Sequence, residues 1–267
     1  MKKYWSFFRM RFLGGLQYRA AAWAGVATQF AWGFLRLLMF RAFYEADAAA
    51  FPMELGQIAS YIWLQQAFLT AFAVWYFDND VFESITNGTV AYELARPMSL
   101  YSMWFVKNLA IRVSRVSLRC LPVLAVACLL PAPYGLGLPA SPKAFICFAV
   151  AMLGTLLLVV AFMMLIYIAT FYTLSSLGLR IMAAAVCDLL TGALIPLPFL
   201  PEGFRKIVEL TPFAAMENLP LQIYCGSLTG AAMGKAMLLQ AFWLTVFLAG
   251  GALWMQRSLR RVVVQGG

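Results

Sequence analysis

Read for apolar and polar positions, the chain divides into six long apolar stretches, roughly 20–43, 56–77, 108–130, 144–174, 181–200 and 236–256. Crossing a bilayer takes about 20 mostly apolar residues, so the pattern predicts an all-α membrane protein with six transmembrane helices. The fourth stretch, about 31 residues without a charge, must tilt or project beyond the hydrocarbon. No internal repeat of the kind found in inverted-repeat transporters is visible.

The intervals between these stretches differ in kind. The opening "MKKYWSFFRMRFLGGLQYR" interleaves bases with aromatics. Arginines interrupt its apolar part, so it is not a secretory leader. It reads either as a helix lying in the headgroup plane or as a basic tail. The longest polar interval on the expected cytoplasmic side is "DNDVFESITNGTVAYELARPMSLY", Asp78 to Tyr101. Asp78 or Asp80 can cap a short helix that Asn87-Gly88 ends, and "VAYELARP" forms a second element stopped by Pro97. The result is a folded elbow exposing Glu83, Glu93 and Arg96. It is either a plain connection or a docking element whose amphipathic helix lays its apolar face in a partner's groove.

The third unusual interval is "GALIPLPFLPEGFRKIVELTPF", Gly192 to Phe213, with prolines at 196, 198, 201 and 212. Irregular backbone at membrane depth survives only where protein or water satisfies its polar groups, so the fifth stretch is expected to break near Pro196. "FRKIVEL" puts Phe204, Ile207 and Val208 on one helical face, able to sink into a leaflet while Glu202, Arg205 and Lys206 meet the headgroups. In "GSLTGAAMG", glycine recurs every fourth residue (Gly226, Gly230, Gly234). This is either a close-packing stripe or a loop.

Composition reinforces the membrane reading. The chain is 63% hydrophobic and 12% charged, whereas a soluble domain carries about 25% charge. The net charge of +9 flanks the apolar stretches, as membrane orientation requires, so nucleic-acid binding has little support. With the N-terminus in the cytoplasm, fourteen bases fall inside: Lys2, Lys3, Arg9, Arg11, Arg19, Arg96, Lys107, Arg112, Arg115, Arg119, Arg180, Arg257, Arg260 and Arg261. Five fall outside, at Arg41, Lys143, Arg205, Lys206 and Lys235. This imbalance puts both termini in the cytoplasm.

Chemistry is sparse. Histidine is absent, which removes Ser/His/Asp and Cys/His catalysis. The five cysteines, at 120, 128, 147, 187 and 225, form no CxxC pair, so neither their spacing nor an imidazole supports a metal site. "GAAMGK" (Gly230 to Lys235) is one residue short of a Walker A and lacks the following Ser or Thr, leaving the chain no nucleotide site of its own. Asp188 is the one acid well inside a stretch, about 12 Å from Arg180 at 1.5 Å per residue. Arg112, Arg115 and Arg119 share one helical face, and Arg115 falls at Asp188's depth. Asp188 is therefore expected to pair with Arg115 or Arg119. Arg36, about 13 Å away in depth, is expected to snorkel to the outer headgroups.

"NGTVAYELARPMSLYSMWF" (Asn87 to Phe105) resembles the segment after the second span in permeases of the type-2 ABC exporter superfamily. The resemblance is to the viologen-exporter-like branch, with its Gly-x-[IV]-Ala-Tyr-Glu-Leu-x-Arg-Pro pattern. "GALIPLPFLPEGFRKIVELTPFAAMENLPLQIYCG" (Gly192 to Gly226) is similar to a second signature of that branch. With the two motifs in the right order across six apolar stretches, the resemblance covers essentially the whole chain.

The resemblance implies one transmembrane domain over 1–267: an interfacial helix in 1–19, a cytoplasmic coupling segment in 78–101, and an outer re-entrant segment in 196–230. It implies two cytoplasmic ABC ATPase subunits, with ATP and Mg on them and no cofactor on this chain. It also implies a homodimer, or a heterodimer with a paralogous permease, in a bacterial inner membrane. Asp78, Asp80, Glu83, Gly88, Tyr92, Glu93, Arg96 and Pro97 would then couple to the ATPase. Pro196, Pro198, Pro201, Pro212 and Phe213 would form an outer lid. The function so implied is export of a hydrophobic or cationic amphipathic compound by an inner-membrane permease in the manner of multidrug efflux, without enzyme chemistry of its own. An intramembrane lipid-modifying enzyme and a non-transporting assembly subunit are the alternatives.

Overall fold

A computed structural model describes residues 2–173 and 175–260 of the protein; Arg261, counted above among the bases at one terminus, lies outside them. The described residues are all-helical. They form α1 (Lys2–Gly15), α2 (Arg19–Ala46), α3 (Leu55–Ala67), α4 (Leu69–Phe72), α5 (Asn79–Thr86), α6 (Val90–Leu94), α7 (Leu100–Leu129), α8 (Pro142–Ala169), α9 (Ser176–Leu190), α10 (Glu202–Glu209), α11 (Asn218–Cys225) and α12 (Gly230–Leu259). Single 3-10 turns lie at 48–50, 170–172, 197–199 and 214–216. Among the described residues, two continuous helical segments are long and apolar enough to cross a membrane, Pro142–Tyr172 and Gly230–Leu259.

The helix ends follow local chemistry. Ser141 accepts a hydrogen bond from the Ala144 N–H (3.0 Å) and Pro142 opens α8, a position where its missing N–H is harmless. Asp78 accepts from the Asp80 N–H (3.2 Å) and starts α5. Gly88, at φ +71°, makes the left-handed turn between α5 and α6.

Several boundaries differ from the pattern. The second apolar stretch breaks at Phe68 into α3 and α4. Helix α7 begins at Leu100, eight residues before its apolar core, because it is amphipathic there and packs against α1. The fifth stretch stops being helical at Leu190, not near Pro196: Gly192 takes φ +90° and turns the chain first. Gly226 and Gly230 are positive-φ turn residues, and a Cβ on Gly234 would meet open space. The every-fourth glycines therefore mark a turn rather than a packing stripe.

The core lies on α3, α8 and α11, with α7 against them. All of Ile58–Ala67 and all eight residues of α11 are buried. The peripheral helices keep apolar side chains outward. Helix α9 buries only Cys187 and exposes Leu177, Ile181, Met182, Val186 and Leu189, as expected of a surface facing hydrocarbon or another apolar helix rather than water.

Candidate functional site: the elbow and the basic face of α7

The elbow, α5 and α6, is held by its apolar face. Val81, Phe82 and Val90 are buried in the main core, with Phe82 against Tyr167 of α8 (ring centroids 4.9 Å). The guanidinium of Arg180 lies over Phe77 and Phe82, 5.2 and 5.0 Å from the ring centroids. The apolar face expected to enter a partner's groove is thus occupied within the chain. What the elbow offers outward is polar.

Four bases on one side of α7 grip the segment leading into the elbow. Lys107 Nζ is 2.7 Å from Asp78 Oδ2 and donates to Asp80 Oδ2 at 3.2 Å. Arg112 is buried and has no acid partner among the described residues; its Nη1 donates to the carbonyls of Thr70 (3.0 Å) and Ala71 (3.2 Å) and its Nη2 to Met163 Sδ. Those carbonyls belong to the last turn of α4, where helix acceptors are unpaired and the dipole is negative. Arg115 stands over the Tyr76 ring (4.9 Å), and Arg119 donates to Tyr76 Oη at 3.1 Å. On the α8 side, the Asp78 N–H donates to Tyr167 Oη (2.8 Å), which donates to Asn108 Oδ1 (3.3 Å).

The expected pairing of Asp188 with Arg115 or Arg119 is therefore wrong. Depth counted along each helix placed them level, but α7 turns its basic face towards residues 70–80. Asp188 instead lies within electrostatic range of Arg36. Arg36 does not snorkel outward: its Nη1 donates to Gln65 Oε1. Gln65 Nε2 donates to Glu217 Oε1 (2.5 Å) and to the Ala193 carbonyl (3.1 Å), and Thr191 Oγ1 donates to Glu217 Oε2 (3.3 Å). Buried Glu217 is the acid that sequence reasoning missed. It lies in "AAMENLP", between apolar stretches and within the expected re-entrant segment, where no buried charge was foreseen. The pair Gln65-Gln66 in the middle of the second stretch was the available signal, since buried amides need partners.

The residues expected to couple divide into two sets. Asp78 and Asp80 are engaged by Lys107. Glu93 Oε2 accepts from the indole N–H of Trp104 (2.6 Å), so it is not a free surface carboxylate. The Pro97 carbonyl accepts from Lys3 Nζ (2.5 Å) and the Ser99 N–H donates to Tyr4 Oη (3.3 Å), tying α1 to the elbow's end. Glu83, Tyr92 and Arg96 are exposed. A shallow cleft of about 320 Å³ lies beside Glu83, lined also by Asn79, Thr86, Ser176 and Arg180.

At the opposite end of the sequence pattern, residues 196–225 fold back into the protein. Pro196 and Pro212 are buried, Pro198 and Phe213 half-buried, and Pro201 exposed at the start of α10. Phe213 meets Phe162 of α8 edge-on (5.7 Å). The Ala215 carbonyl accepts from Thr155 Oγ1 (2.9 Å) and from Gln240 Nε2 (3.0 Å), joining this segment to α8 and α12. Of the α10 face, Val208 is buried while Phe204 and Ile207 are exposed.

The model of a protein family described as ABC-2 family transporter protein matches residues 30–266 of the chain. No curated protein matches it.

Proposed function

The chain belongs to the ABC-2 transporter family, as a multi-pass permease subunit that works with ABC ATPase subunits, and from that premise we propose that it is an exporter half with six crossings. The crossings are α2, α3–α4, α7, α8, α9 and α12, with both termini in the cytoplasm. The elbow at 78–101 faces the ATPase and receives its motion. The segment 196–230 re-enters the outer leaflet and, paired with a second permease, homologous or identical, closes the path from outside. The unpartnered apolar face of α9 supports such pairing. The proposed cargo is a hydrophobic or cationic amphipathic compound, in line with the likeness to the viologen-exporter-like branch.

The observation that carries this reading is the clamp of α7 on the segment that leads into the elbow. A docking element transmits force only if it moves with the helices that line the path, and Lys107, Arg112, Arg115 and Arg119 bind the Thr70–Asp80 segment to one helix at four points. ATP-driven closure would act as a differential affinity for two arrangements of that unit.

The test is site-specific cross-linking from Glu83→Cys, or from Arg96→Cys, to a co-expressed ABC ATPase. An adduct that forms and changes with bound nucleotide supports the reading. Adducts forming only from positions on the α10 side would overturn it. Nucleotide-stimulated release of a lipophilic cation from proteoliposomes holding both subunits tests the cargo.

A further inference from the structure

Where α1 turns into α2, the protein encloses a cavity of about 790 Å³ against α7. Its charged lining is mostly basic: Arg11, Lys107, Arg115 and Arg119, with Asp80 as the one acid. Asp80 is held by Lys107. Among the described residues the other three bases have no anionic partner in contact. Arg11 stands over the Phe7 ring (5.4 Å), and its Nε is buried without an acceptor among the described residues. Arg115 stands over Tyr76 with no hydrogen bond or ion pair among the described residues, and the nearby Asp78 is already taken by Lys107. Arg119 reaches two neutral oxygens, Tyr76 Oη (3.1 Å) and the Ala21 carbonyl (3.5 Å), and its Nε too is buried and unpaired.

Guanidinium groups grouped around a cavity with open N–H donors fit a phosphate, which they bind through charge-assisted and often bidentate hydrogen bonds. The rim identifies what carries it. Met10 and Tyr18, both large and exposed, line the cavity, and the exposed Leu13 and Trp23 lie on the same two helices. Trp5, Phe8 and Phe12 stack along α1 (5.6 and 6.0 Å). A basic pocket bounded by an apolar, aromatic rim matches a molecule with an anionic head and a hydrocarbon tail. We propose that this cavity is a binding site for the phosphate headgroup of an anionic phospholipid, with the acyl chains lying over α1 and the start of α2. The site shares Arg115 and Arg119 with the clamp, so bound lipid would brace the same unit. It requires only a membrane around the protein, not an ATPase at the elbow.

The test uses the purified full chain in vesicles of phosphatidylcholine alone and of phosphatidylcholine mixed with phosphatidylglycerol. Melting temperature and lipid retained in native mass spectrometry are the readouts. The wild type is expected to retain phosphatidylglycerol and to melt higher in its presence. The double variant Arg11→Gln/Arg115→Gln should bind it about 30-fold more weakly, taking about one kcal/mol per base at a membrane surface. Arg257→Gln, which removes a base that does not line the cavity, should bind as the wild type does. If the double variant fails to fold in phosphatidylcholine, Gly14→Trp decides: a Cβ at Gly14 meets open space, and the larger ring fills the cavity without removing a charge. Undiminished retention in the folded double variant, or in Gly14→Trp, overturns the proposal. A melting shift reproduced by inorganic phosphate alone overturns the lipid as the source and leaves a free-phosphate site.

Discussion

Lys107 Nζ lies 2.7 Å from Asp78 Oδ2, with 7% and 9% of the two side-chain surfaces exposed. Both charges are thus removed from water, and loss of Lys107 strips Asp78 of its paired cation. The second contact of Lys107 is different in kind, because the Asp80 side chain is 78% exposed.

That asymmetry predicts unequal costs. Lys107→Ala should destabilise the protein by about 3–5 kcal/mol, the range for breaking a buried pair from one side. Asp80→Asn should cost about 0–1 kcal/mol, as exposed pairs do. Thermal unfolding in one detergent checks both. Equal losses would mean that the buried contact does not hold the elbow.

The charges around Glu217 should behave as one unit. A double-mutant cycle between Arg36→Ala and Glu217→Ala should give a coupling of about 1–3 kcal/mol, as residues in one hydrogen-bond network do. They are joined through Gln65. The cycle between Asp188→Ala and Arg115→Ala should be additive within about 0.5 kcal/mol. A strong Asp188–Arg115 coupling would contradict the orientation of α7 described above.

On the elbow, exposure separates docking from support. Glu83→Lys and Arg96→Glu should leave the melting temperature unchanged while reducing copurification of the ATPase subunit, since both side chains are exposed. Glu93→Ala should lower the melting temperature, because it strands the Trp104 indole N–H at a loss of about 1–3 kcal/mol. Loss of the ATPase from Glu93→Ala alone, with Glu83→Lys and Arg96→Glu intact, would move the docking surface elsewhere.

Two glycines offer a contrast in packing. A Cβ on Gly135 would run into the backbone carbonyls of Leu130 and Ala127, whereas one on Gly25 meets only the mobile end of Arg119. Gly135→Ala should therefore cost about 1–3 kcal/mol, as overpacking against rigid neighbours does, and Gly25→Ala clearly less. Thermal unfolding of the pair ranks them, and a larger loss at Gly25 would show that Arg119 is rigidly held.

Hydropathy and punctuation alone determined that the chain is helical and built for a membrane. They also located the capped elbow at Asp78 and Gly88, because an N-cap and a positive-φ turn are decided by residues a few positions apart. The likeness of "NGTVAYELARP" to one transporter superfamily was legible for the same local reason, and the family match agrees at that level. The partners of the buried charges were decided by the tertiary structure. Counting rise along a helix gives depth but not azimuth, so Asp188 and Arg115 looked level while α7 faced them apart. Glu217 sits in a segment whose sequence reads as a connection, and only the burial of α11 between α3 and α8 makes its carboxylate an interior group. Pairing across helices depends on how each is rotated about its axis, and that rotation is fixed by packing among all of them at once.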